Sequence, residues 1–252
     1  MERMDRPAYA FYRLLWQSLD WLFPPACGGC ERPGTRWCAS CQSSTTIIGD
    51  NICPKCGNLQ IKENACPNCA ALAPAFSLLR SWAVYNGPLR EAIHRLKYQQ
   101  DIALGEMFSR PMIHLLEALG WQVNMVLPVA LSNERYRQRG YNQAGLLARP
   151  VAMALNIPYQ PKALERWRDT VSQVGLSAEQ RITNVNGAFK ANHQLVKGRT
   201  ILVIDDVTTT GATINSCAEA LLQAGAREVF ALTLARAAHA SVQPLPGSEL
   251  VM

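Results

Sequence analysis

The stretch from Thr200 to Thr213, TILVIDDVTTTGAT, sets an apolar run against two adjacent carboxylates and a cluster of hydroxyls. Ile201, Leu202, Val203 and Ile204 read as a buried parallel strand, because such strands are covered on both faces and lose the polar alternation. The run stops at Asp205 and Asp206. Thr208, Thr209, Thr210, Gly211 and Thr213 follow, before an amphipathic helix that starts near Ile214. A turn of small hydroxylated residues at a helix start is a seat for phosphate: backbone N–H groups and hydroxyls point out of it, and the helix N-terminus adds partial positive charge. Carboxylates at a strand end accept hydrogen bonds from vicinal hydroxyls. Phosphate plus diol describes a ribose 5-phosphate. Neither a G-x-G-x-x-G run nor a Walker loop is present here, which argues against dinucleotide and P-loop chemistry. The competing reading is an ordinary N-cap cluster with solvated carboxylates.

A second chemistry lies upstream. Cys27/Cys30, Cys38/Cys41, Cys53/Cys56 and Cys66/Cys69 form four C-x-x-C pairs, and only Cys217 stands apart. Each pair presents two sulfurs from one knuckle, and two pairs close a tetrahedral thiolate cage around Zn²⁺. The simplest arrangement puts the first four cysteines on one ion and the last four on another; spacing leaves an interleaved pairing open. Disulfides require an oxidising compartment, and no export signal is visible. A thioredoxin-like site uses one C-x-x-C beside a βαβ unit, and iron–sulfur clusters use other spacings. With no open ligand position, both zinc sites read as structural, and the metal supplies folding free energy that this apolar-poor segment lacks. Cys217 falls on the apolar face of the helix after the phosphate loop, where core packing is its expected role.

These residues need elements to hold them. The chain has 252 residues, 17% of them charged, with a net charge of +6. That length supports one good core plus a small module, and the charge is compatible with anionic partners without demanding nucleic acid. No apolar run approaches a membrane span. In residues 1–24, Phe11, Leu14, Leu15, Ser18, Leu19 and Leu22 share one helical face, expected to pack on the rest of the protein; a peripheral membrane or partner helix is the alternative. Residues 25–73 hold the eight paired cysteines. From Pro74 the pattern is α/β: strands at Ser81–Tyr85, Val123–Val129, near Ala163 and at Val229–Leu234, alternating with helices. One helix opens at Pro88, with Leu89, Ile93 and Leu96 inward and Arg90, His94 and Lys97 outward. Gly225 is the expected stop of the motif helix. Alternation of this kind indicates a parallel sheet covered on both faces, with ligands at the carboxyl ends of its strands.

Two further strand-end segments are polar. After Val129 comes LSNERYRQRGYNQ, in which Arg135, Arg137 and Arg139 offer planar forks of donors suited to pyrophosphate; a solvated basic loop is the plainer reading. After the strand near Ala163, Arg166, Arg168 and Gln173 lie in a segment with little periodicity, expected to act as a lid over the sugar or as a surface connection. Ser177 and Gln180 form a capping box for the helix carrying Arg181.

The thirteen residues from Ile201 to Thr213 resemble the 5-phosphoribosyl 1-pyrophosphate (PRPP) motif of type I phosphoribosyltransferases. With the four cysteine pairs, Leu96-Lys97-Tyr98, RYRQRGYNQ at 135–143, Arg166, Thr170, Gln173, Leu176-Ser177, Arg181, Asn184-Val185 and Gly187-Ala188-Phe189, the chain resembles the ComF/GntX family over residues 22 to 236. Pro150 departs from that pattern and should kink or shorten its helix. The resemblance implies a type I phosphoribosyltransferase fold over 74–252 behind an N-terminal double zinc ribbon. It implies PRPP binding with Mg²⁺: Asp205 and Asp206 as the catalytic carboxylates that orient the ribose, Thr208 to Thr213 on the 5-phosphate, and Arg135, Arg137 and Arg139 on the leaving pyrophosphate. It further implies a cytoplasmic role in natural transformation or in use of external DNA as a nutrient, handling single-stranded DNA with a helicase-like competence protein as partner. A peripheral position at the inner membrane is the alternative reading of the leading helix, which lies outside the resemblance. The acceptor base is not identified by the pattern. A nucleotide-salvage transferase and a non-catalytic single-stranded-DNA-binding accessory remain as alternatives; Trp82, Tyr98, Tyr136, Tyr141 and Trp167 near arginines favour the latter.

Overall fold

A computed structural model of the chain describes residues 6–59, 66–168, 184–185 and 187–237. In chain order its elements are α1 (Pro7–Leu22), α2 (Ala39–Ser43), α3 (Pro67–Leu72), β1 (Leu78–Val84), α4 (Gly87–Tyr98), α5 (Ala103–Leu119), β2 (Met125–Pro128), α6 (Asn133–Arg139), α7 (Gln143–Leu155), β3 (Leu164–Arg166), β4 (Phe189–Ala191), α8 (His193–Val196), β5 (Thr200–Thr208), α9 (Ala212–Gln223) and β6 (Glu228–Arg236). Gln173, the Ser177–Gln180 capping box and Arg181 lie outside the described residues.

Four strands form one parallel sheet in the order β1-β6-β5-β2. Its central strands carry apolar side chains on both faces, as a doubly covered sheet requires. Leu202, Ile204, Leu232 and Leu234 join Leu96, Leu104, Phe108 and Leu147 in the core under α4, α5 and α7. Ile201, Val203, Val229 and Ala231 join Leu127, Cys217 and Leu221 under α9. Cys217 is fully buried there, in the packing role its position indicated. Gly225, at φ +90°, follows the last turn of α9. The strand near Ala163 departs from expectation: β3 stands outside the parallel sheet and pairs antiparallel with β4.

Pro150 neither ends nor shortens α7, which runs on to Asn156 in the left-handed conformation. A proline removes one intrahelical hydrogen bond; here Pro150 is buried with Leu147, Val151, Ala152 and Ala154, and packing on the sheet and α5 outweighs that loss. The leading helix is a second correction. Phe11, Leu14, Leu15, Leu19 and Leu22 are exposed, between 40% and 63%, while Tyr9 is fully buried. The helix docks on α5 and α7 through this aromatic side, and Arg36 secures it by pairing with Asp20 and covering the Trp16 ring. No described helix is long and apolar enough to cross a membrane.

The cysteine knuckles are packed into the sheet's two covers. Cys27, Cys38 and Cys41 belong to the core beneath α4 and α5, whereas Cys53, Cys56 and Cys66 belong to the core beneath α9. The chain between them runs along the open edge of β1: the Ile48 N–H donates to the Trp82 carbonyl, the Val84 N–H to Thr46, and the Leu79 N–H to Lys55. An otherwise bare sheet edge is thereby covered.

Candidate ribose-phosphate site

The site arises where the sheet divides. Pro128 pairs with Ile204, the Val129 N–H reaches the Ile204 carbonyl at 2.8 Å, and β2 then leaves. β5 and β6 stay in register as far as Thr208 and Arg236. Asp205 and Asp206 therefore lie within a strand, not beyond its end as the apolar run indicated, because β6 continues to supply hydrogen bonds. Residues 205–208 are left beside the crevice that β2 opens, the usual position for a ligand in such sheets.

Alternation along β5 turns the two carboxylates to opposite faces. Asp206, 3% exposed, shares the face of Leu202 and Ile204, and meets Lys97 Nζ at 2.7 Å. Burial works against the Lys97 charge, but Asp206, with Asp205 behind it, outweighs burial and holds the ammonium above its ordinary range. Asp205 is half-buried; its Oδ1 accepts from the Asp206 N–H at 2.9 Å. Burial and the neighbouring Asp206 carboxylate push its carboxyl up to about 8, against the opposing pull of Lys97. Periodicity alone turns Lys97 to the outer face of its helix. The last turn of α4 ends beside β5, which reverses that assignment; the only signal in the chain was its place in the Leu96-Lys97-Tyr98 string.

Beyond Thr208 the chain turns through Gly211, at φ +88°, into α9, which begins two residues earlier than its apolar pattern indicated. Only glycine holds that φ without strain. Thr208 and Thr210 are buried, Thr209 and Thr213 half-buried. The Thr210 hydroxyl accepts from the Ala212 N–H at 3.3 Å. The twelve-residue α9 thus presents its N-terminus in the crevice beside Asp205.

The arginine segment is a helix, not a loop. Ser132 caps α6, its hydroxyl accepting from the Arg135 N–H, and Gly140 ends it. Helical spacing places Arg135 and Arg139 on one face and Arg137 on the other. Arg139 lies over the Tyr98 ring at 4.9 Å and donates to Gln143 Oε1 at 2.8 Å, which ties α6 to the end of α4 next to Lys97. Arg137 is exposed.

Arg166 lies in β3, buried, with its guanidinium 5.5 Å from the Phe189 ring centre; Arg168 is exposed one residue past Trp167. Pairing with β4 makes Arg166 part of a small sheet; the rest of the segment expected as a lid or surface connection, with Gln173, lies outside the described residues. Burial raises the Cys217 thiol well above its usual range; Asp205 adds to this and Arg166 opposes it. A cleft of about 740 Å³ beside β2 and β3 is lined by Tyr136, Tyr141, Tyr159, Trp167, Arg149 and Lys162. Trp82, in contrast, packs inward against Phe108.

The cysteines pair sequentially. Cys27, Cys30, Cys38 and Cys41 bring their sulfurs within 4.8 Å of one another, as do Cys53, Cys56, Cys66 and Cys69. Sulfur separations of 3.7 Å for Cys30/Cys38 and 3.6 Å for both Cys53/Cys69 and Cys56/Cys66 match the roughly 3.8 Å edge of a tetrahedron with Zn–S bonds of about 2.3 Å. Backbone N–H groups of Cys38, Cys41 and Cys56 point at cage sulfurs at 3.4 Å, which favours thiolates.

Comparison with known proteins agrees with both halves. Residues 18–70 match the double zinc ribbon domain and residues 142–245 the phosphoribosyl transferase domain. The DNA utilization protein YhgH of Escherichia coli K12 is 32% identical over 84% of this chain and 97% of its own length. The chain belongs to that family. Other members are competence protein F of Haemophilus influenzae, 31% identical over 79% of this chain and 90% of that one, and competence protein ComFC of Bacillus subtilis 168, 30% identical over 81% and 86%. This chain joins a double zinc ribbon to a phosphoribosyltransferase fold.

Proposed function

We propose that the chain binds PRPP with Mg²⁺ in the crevice at the end of β5, and that it serves in uptake of DNA or its use as a nutrient, a reading supported by relatives named DNA utilization protein and competence protein. The observation that carries the ligand is the half-exposed Asp205 next to a glycine-turned threonine loop on the N-terminus of a twelve-residue helix. Asp205 accepts from the ribose hydroxyls. Asp206 holds Lys97 beside it, where the ammonium neutralises phosphate charge. The amides at the start of α9 and the hydroxyls of Thr208, Thr209, Thr210 and Thr213 receive the 5-phosphate. Arg135, Arg137 and Arg139 neutralise the pyrophosphate, with Arg139 set by Tyr98 and Gln143. A carboxylate plus substrate phosphates is the donor set Mg²⁺ prefers: Asp205 would hold the ion together with the substrate's phosphates, and the ion would neutralise charge on the leaving pyrophosphate. Where transfer to a nitrogen base follows, Asp205 stabilises the positive charge developing on the ribose.

The cleft lined by Tyr136, Tyr141 and Trp167 with Arg149 and Lys162 favours a second role, holding single-stranded DNA by stacking and backbone neutralisation. One experiment on the zinc-loaded chain tests both. Calorimetry with Mg-PRPP should show binding that D205A/D206A weakens at least about tenfold, the loss of charged hydrogen bonds. Unchanged affinity in the double variant sinks the site. Filter binding of single-stranded DNA in the same samples should fall steeply with salt; no binding at low salt removes the DNA role.

A further inference from the structure

Arg236, the last residue of β6, is the largest side chain wholly removed from solvent among the described residues. Its Nη1 donates to the Thr209 carbonyl at 3.0 Å and its Nη2 to the Cys56 carbonyl; Nε has no partner. Among the described residues no carboxylate pairs with it. A buried cation needs a counter-charge. One guanidinium therefore bridges a backbone carbonyl of the phosphate loop and one of the second cysteine knuckle.

Arg80 does much the same from β1. Its Nη2 donates to the Pro54 carbonyl at 2.7 Å and its Nη1 to the Leu79 carbonyl at 2.9 Å, and among the described residues no carboxylate pairs with it. Four thiolates around a divalent ion carry two net negative charges, and two arginines sit on that knuckle. The first cage differs: two arginines near it, Arg36 and Arg95, are ion-paired with Asp20, Asp101 and Glu31. The segment that leaves the second knuckle also runs close beside the loop. A side chain at Gly211 would meet Leu72 of α3 at 3.6 Å and Phe76 at 3.8 Å. The Ala75 N–H donates to Asn215 Oδ1 at 2.7 Å, and the Asn215 N–H to the Gly211 carbonyl at 2.8 Å.

We propose that the metal-filled second cage (Cys53, Cys56, Cys66, Cys69) holds the Thr208–Thr213 loop in its phosphate-receiving shape, with Arg236 as the positioning residue that couples them. The proposal rests on reading that loop as a phosphate seat. Emptying the cage removes the charge that Arg236 answers, and frees the Thr209 carbonyl from its donor.

The test uses the full zinc-loaded chain as wild type, R236M and R236K, compared by hydrogen exchange, by cysteine alkylation located by mass spectrometry, and by calorimetry with ribose 5-phosphate. R236M should raise exchange across 208–215, speed alkylation of Cys53 and Cys56 about tenfold while Cys27 and Cys30 keep their rate, and weaken ribose 5-phosphate about tenfold, the loss of charge-assisted bonds. R236K, which keeps the charge but not the fork, should recover the cysteine protection and not the loop protection. Unchanged loop exchange in R236M overturns the coupling, whatever the ligand does. Loop exchange that responds while wild type binds no ribose 5-phosphate sinks the phosphate reading and leaves the coupling standing. Should R236M fail to fold, R236K and wild type with the second cage selectively alkylated give the same comparison.

Discussion

Lys97 and Asp206 form an ion pair across two elements, with the carboxylate 3% exposed and the ammonium 2.7 Å away. Removing one partner of such a pair leaves an uncompensated charge out of water, a loss of about 3–5 kcal/mol. K97M should therefore lower Tm by roughly ten degrees, since each kcal/mol moves a chain of this size by about 2–4 °C. D206N added to K97M should recover most of the loss, because the orphaned charge is gone. Equal Tm for wild type and K97M would mean that the pair does not form in solution. At this scale the residue types were readable: aspartates, threonines and cysteines announce their chemistry wherever they occur. Their partners were not. Periodicity turned Lys97 outward with Arg90 and His94, since the helical repeat describes only the helix's own faces and not the strand end it abuts.

α5 and α7 cross where Gly105 meets Leu146. A Cβ at Gly105 would lie 2.6 Å from the Leu146 Cβ and 3.1 Å from its carbonyl oxygen. Ala in place of Gly inside an exposed helix stabilises by about 1 kcal/mol. Here overpacking should reverse the sign, and G105A should destabilise by about 1–3 kcal/mol in urea titration; a gain in stability would show that the helices separate freely. The same crossing explains why α7 continues through Pro150, which local rules marked as a break. α6 misled in the opposite way, because RYRQR reads as a polar loop until Ser132 and Gly140 are recognised as its caps. α1 was legible as a helix but not in its orientation: a stripe of leucines marked its inner face, yet Tyr9 makes the buried contact. Long apolar repeats are legible because they are local, whereas short polar helices and docking faces depend on neighbours supplied from elsewhere.

Across the whole molecule, the two cysteine knuckles close opposite faces of one sheet. Metal analysis should return two zinc ions per chain, and a strong chelator should lower Tm of the entire molecule, not merely release a ribbon, because zinc binding contributes folding free energy. A chelated chain that keeps its Tm would mean that the knuckles are appendages. By itself the amino-acid sequence determined the alternating α/β pattern, the four cysteine pairs and the ribose-phosphate motif, all of which rest on spacings within about a dozen residues. Tertiary structure alone decided that Asp205 and Asp206 part to opposite faces, that Lys97 answers Asp206, and that Arg236 links the second cage to the threonine loop. Those pairings follow from the strand order β1-β6-β5-β2, which brings distant segments together and which no local repeat encodes. The motif in Thr200–Thr213 names the chemistry of a ligand; the sheet around it supplies the charges that would hold one.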